Sequence, residues 1–165
     1  MQLSQRFKML ALAVAVTSLA ACGGGRDDPL PTDSTSDPVA KYVGSWISTC
    51  VEDSGASAQA RADLRKTSPT TMTGDIIAYA YIGRSCSGPS VRDKKVLSDL
   101  NVTFTGTTTT QGRTADKFEG TSAQGEGKVL LFSDNTTMLV GDPDSPDDAQ
   151  GFPTEFLKYS LSRLN

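Results

Sequence analysis

The stretch Leu100-Asn101-Val102-Thr103-Phe104-Thr105 decides the fold. Leu100, Val102 and Phe104 alternate with Asn101, Thr103 and Thr105, the period-two pattern of a strand with one face in a core and one in water. Outward from it, the chain has the same texture from Val39 to its end: short β-type runs, abundant Thr and Ser, no sustained helical period. Strands are expected over 41–50, 57–66, 71–82, 95–105, 114–121, 126–133, 136–141 and 156–164. Asp53-Ser54-Gly55, Ser87-Gly88-Pro89, Gln111-Gly112, Gln124-Gly125 and Asp134-Asn135 read as turns between them.

The 57–66 segment carries a conflict. Its Ala, Gln, Arg, Leu and Lys favour helix. Yet Ala58, Ala60, Ala62 and Leu64 alternate with Gln59, Arg61, Asp63 and Arg65, and the alternation reads as strand. The expectation is an all-β fold: a single antiparallel meander of about eight strands that closes into a small barrel and so removes its edges.

The start of the chain differs from the rest. Arg6 and Lys8 precede an apolar run from about Met9 to Val16, too short to cross a bilayer as a permanent helix. Leu19-Ala20-Ala21-Cys22 then closes the segment. It resembles the lipobox of bacterial lipoproteins. That likeness implies cleavage before Cys22 and a lipid on Cys22. The alternative is an ordinary secretory signal cut after Ala21, leaving Cys22 a free thiol. In lipoproteins an Asp after the lipidated Cys favours inner-membrane retention. Gly23 stands there, so the resemblance implies the outer membrane of a two-membrane bacterium.

The resemblance divides the chain into a signal peptide over 1–21, a lipidated Cys with its linker over 22–38, and a barrel domain over 39–165. Residues 23–38 are mostly Gly, Pro, Ser, Thr and Asp, with Leu30 the one large apolar residue. Such a segment buries too little to order itself and would span roughly 20–25 Å r.m.s. as a tether. It also resolves the count of three cysteines. With Cys22 on lipid, Cys50 and Cys86 are left as a disulfide in an oxidising compartment; two free buried thiols are the other option.

Gly44-Ser45-Trp46 resembles the G-x-W signature of lipocalins and similar small barrels. The likeness implies a lipocalin-like barrel, with Trp46 closing one end. It also implies a basic residue near the chain end lying across Trp46, and Arg163 is placed to do so by cation–π contact. The full organisation resembles small bacterial lipoproteins with a lipobox, a linker, a Tyr42-x-Gly44-x-Trp46 start, one disulfide and a Gly141-Asp142-Pro143-Asp144-Ser145-Pro146 segment. That likeness brings no activity with it.

Composition excludes several function classes. The chain has 16 Lys and Arg, 19 Asp and Glu, and a net charge of -3, which loss of residues 1–21 moves to -5. Neither a nucleic-acid surface nor a polybasic lipid-binding signal follows from that balance. No histidine occurs, which removes His-based triads and His-ligated zinc. Carboxylate pairs drawn from Glu52, Asp53, Glu119, Glu126 and Glu155 have no spacing that implies glycosidic chemistry. Asp142, Asp144 and Asp147 form the densest acidic cluster and are the weak candidate for a cation site. The EF-hand pattern fails there, since Asp147 and Pro153 occupy its Gly and Glu positions.

The expected protein is therefore not an enzyme and needs no cofactor. It is held to a membrane through Cys22. It acts by protein interaction or a structural role in the envelope, for example as an inhibitor or an assembly accessory. The alternative is a lipocalin-like binder of a small apolar ligand. A barrel of this size is either packed solid or wide enough for one small ligand, and the sequence does not choose between them; the small number of large apolar residues favours packing, and with it the first reading.

Overall fold

The computed structural model describes residues 37–92 and 97–165. The expected signal peptide, Cys22 and the expected linker through Ser36 lie outside the described residues. A 3-10 turn, Ala40–Tyr42, opens the domain. Ten strands follow: β1 Gly44–Ser48, β2 Val51–Asp53, β3 Ala56–Ser68, β4 Thr71–Ile82, β5 Ser90–Arg92, β6 Leu97–Thr110, β7 Arg113–Ser122, β8 Gly125–Ser133, β9 Thr137–Val140 and β10 Leu161–Arg163. All pairings are antiparallel.

Eight of these strands close a ring in the order β1-β3-β4-β6-β7-β8-β9-β10, and β10 returns to β1 through Trp46↔Arg163 and Ser48↔Leu161. The meander is all-β and closed, as the alternating pattern requires. The helix-forming composition of β3 is overridden because β3 is paired along both sides, to β1 and to β4. Ala62 and Leu64 face the core, while Arg61 and Asp63 pair on the outer face.

Some boundaries differ from expectation. The first run begins in the 3-10 turn, which carries the chain beneath the barrel before β1 starts. Strand β6 runs on to Thr110, since Gln111 and Gly112 both take positive φ and give the tight hairpin into β7 its twist. The last run is strand only over Leu161–Arg163. Before it, residues 141–160 form a string of turns. β2 and β5 pair outside the ring. They flank the β3–β4 hairpin where it continues past the barrel wall, through Val51↔Ala58 and Ala80↔Val91.

The core lies at the end where the chain enters. Val39, Tyr42, Trp46 and Phe118 are fully buried there. The Tyr42 and Phe118 rings meet edge-on at 5.4 Å, and Phe104 meets Phe118 at 5.9 Å. A second cluster, Ala115, Leu130 and Phe156, sits on the outer face of β7 and β8. Residues 141–160 cover that face. Consequently Lys117, an outward residue, is buried, and its ammonium lies on Asp148 at 2.6 Å, on Gln150 at 2.7 Å and over the Phe152 ring.

Candidate functional site: a one-ended apolar cavity

Inward positions follow strand parity: even numbers in β3, β4, β7 and β9 and over Leu100–Phe104 of β6, odd numbers in β8 and β10. Strand β6 shifts register on either side of that stretch, and at the mouth Leu97 and the β7–β8 hairpin line the rim outside this rule. Along this inner face the barrel holds a cavity of about 600 Å³. Its depth is walled by Leu64, Met72, Val102, Leu131, Met138 and Leu161. Its mouth is ringed by the β7–β8 hairpin, by Leu97 and by Pro143, Asp147, Leu157 and Tyr159.

The cavity decides a question the sequence left open, and against the packed barrel that the small number of large apolar residues favoured. The physical reason is side-chain size on the wall. Ala60, Ala62 and Gly120 all line the cavity and project little into it. A Cβ at Gly120 would stand 2.0 Å from the Asn101 carbonyl oxygen, so that position admits no larger residue and contributes no filling. Few large apolar residues thus leave a void here, within the usual range of roughly 300–1,000 Å³ for small-molecule sites.

The opposite end is sealed by a polar network around Trp46. The Trp46 indole N–H donates to the Tyr42 carbonyl at 2.7 Å. The Arg163 guanidinium stacks over the Trp46 ring at 4.3 Å. Its three nitrogens donate to the carbonyls of Asn135, Val43 and Lys41 at 2.7, 2.5 and 2.8 Å. Gly44 makes room for this. Its φ is +128°, and a Cβ there would stand 2.8 Å from Arg163 Nη1. Gly44, Trp46 and Arg163 are therefore brought together at the closed end, and none of them lines the cavity.

Beside them, the Tyr42 hydroxyl shares its one proton between two acceptors, Asp116 Oδ2 at 2.8 Å and the Leu131 carbonyl at 3.0 Å. Lys41 places its ammonium 2.8 Å from the same carboxylate oxygen. Burial, then the Asp116 charge and its hydrogen bond, push the Tyr42 phenol well above its ordinary range. This network compensates a buried carboxylate and holds the floor in place.

Cys50 and Cys86 form the expected disulfide, with Cα atoms 5.8 Å apart. It lies at the mouth end. Cys50 falls in the break between β1 and β2 and is exposed, so it does not share the inner face of Trp46. Cys86 has a φ of +48°, and its N–H donates to the Ser57 hydroxyl. The bridge fixes the loop after β4 to the overhanging hairpin.

The acidic cluster is a set of turns. Asp142 Oδ1 accepts the Asp144 N–H, and the Asp142 carbonyl accepts the Ser145 hydroxyl. Asp148 Oδ1 accepts the Gln150 and Phe152 N–H groups, while Oδ2 takes Lys117. The hydrogen bond from Lys117, followed by that from the Phe152 N–H, holds Asp148 down to about 2. Asp142, Asp144 and Asp147 do not converge on a cation site: among the described residues no three His, Cys, Asp or Glu side chains form a group that could hold a metal ion. The carboxylates of Asp142 and Asp148 are taken by backbone donors instead.

Sequence reasoning missed the lining residues Ala60, Met72, Ile76, Met138 and Val140. Strand parity was the signal that marks them, read together with the small residues facing them.

No family model, curated protein or solved structure significantly matches the chain. The fold and the site themselves define the class: a closed eight-stranded antiparallel barrel, sealed at the chain-entry end by Trp46 and Arg163, with an apolar cavity open at the other.

Proposed function

We propose that this chain is a lipid-anchored envelope protein that holds a small apolar molecule in its barrel, in the manner of lipocalins, and does no catalysis. The cavity carries this reading. Its size suits one drug-sized molecule, and its deep wall is made of aliphatic and thioether side chains. The arrangement of Gly44, Trp46 and Arg163 is what the lipocalin likeness implies. Anchoring through Cys22, at the outer membrane of a bacterium, rests on the lipobox resemblance alone.

Native mass spectrometry of the chain from residue 23 onward tests the reading. A retained small-molecule adduct, or tight uptake of an apolar fluorescent probe, is expected. Ala60→Phe should block uptake while leaving the melting temperature near that of the parent. Probe binding unaffected by Ala60→Phe would mean that the cavity is not the site.

A protein-interaction role is the second reading. It is favoured by Ile82, 81 % exposed at the end of β4, where the β3–β4 pair overhangs the barrel, with Val51 exposed on the same face. Loss of a co-purifying partner on Ile82→Asp, with probe binding intact, would support it.

A further inference from the structure

We infer that the ligand is an amphiphile bound tail inward, with a cationic or uncharged head group at the mouth. This rests on the apolar-ligand reading above. The deep wall, from Leu64 and Met72 to Met138 and Leu161, offers no ionisable side chain among the described residues. Asp116 and Arg163 face inward at the closed end but are consumed by the floor network and do not line the cavity. A charged or strongly polar head placed at depth would lose its water without gaining a partner. It must therefore remain at the mouth, with the tail filling the depth.

The described residues give the mouth a sign. Among the described residues, the charged side chains lining the cavity are Glu126, Lys128 and Asp147. Lys128 is already engaged: its ammonium donates to the Gln150 carbonyl at 2.5 Å, pairs with Glu119 at 3.1 Å and lies 5.1 Å from the Phe152 ring centre. Glu126 and Asp147 have no such cation within ion-pair distance among the described residues. Asp142 adds a third carboxylate nearby. Its charge, after burial, helps to push up the phenol of Tyr159, which also lines the mouth. A positive head group meets a favourable field there, and a carboxylate or phosphate meets repulsion.

The test uses three probes of one chain length, each below its micelle concentration: dodecyltrimethylammonium, dodecanol and dodecanoate. Each competes with an apolar fluorophore for the chain from residue 23 onward. At low salt the cation should bind about fivefold tighter than dodecanoate, with dodecanol between them. The gap should fall below about twofold in about 0.5 M salt, where screening is short-ranged. It should fall likewise in a Glu126→Gln, Asp147→Asn double variant whose melting temperature is unchanged. Equal affinities, a preference for dodecanoate, or a gap untouched by the double variant would overturn the head-group assignment and leave the apolar site standing. Failure of the fluorophore and of all three probes to bind would instead overturn the apolar-ligand reading.

Discussion

The Arg163 guanidinium lies over the indole of Trp46, 4.3 Å from its centre, and joins the last strand to the first. One side chain thus closes the ring of strands and seals its floor. Cation–π attraction there and three hydrogen bonds from a charged donor all depend on the planar fork. Arg163→Ala should cost about 2–4 kcal/mol in urea unfolding. Arg163→Lys should recover less than half, because an ammonium cannot reach three carbonyls at once. A variant within 0.5 kcal/mol of the parent, roughly the scatter of a neutral surface change, would mean that the stack is incidental.

The disulfide spans 36 residues. Cys50→Ser should destabilise by roughly 3–4 kcal/mol. In excess reductant the parent should melt with the variant, and a gap that persists there would assign the loss to something other than the bridge.

Asp148 ties residues 141–160 to Lys117 on the outer wall. Its pKa is held down to about 2 in the folded chain, against an ordinary value near 3.9 in the unfolded one. The stabilisation is therefore complete above about pH 4 and is lost as pH falls towards 2. Asp148→Asn should flatten that part of the acid-unfolding curve. It should also loosen residues 141–160 first, seen as faster amide exchange at Gly151 and Phe152.

Cys22→Ala should release the protein from membranes into the soluble fraction with the barrel intact. The check is fractionation together with the melting temperature of the released chain. A membrane-bound Cys22→Ala product would remove the lipid anchor from the account.

Much of the fold was legible because strand parity is a simple signal. Leu100, Val102 and Phe104 declared an inside and an outside, and the same rule correctly settled β3 against its helical composition. Trp46 with Gly44 marked the closed end, and two cysteines marked the bridge. The cavity was not legible, because volume is a property of facing residues rather than of any one run. Ala60 and Gly120 lie 60 positions apart, and only the closed ring makes them line one space. Nor did the sequence show that Lys117, an ordinary outward lysine on β7, would be buried by a segment 30 residues downstream.

Residues 37–42 pass beneath Trp46, at the end opposite the mouth. Chain entry and cavity mouth are thus at opposite ends of the barrel, so whatever precedes Asp37 joins it at the sealed floor and not at the opening.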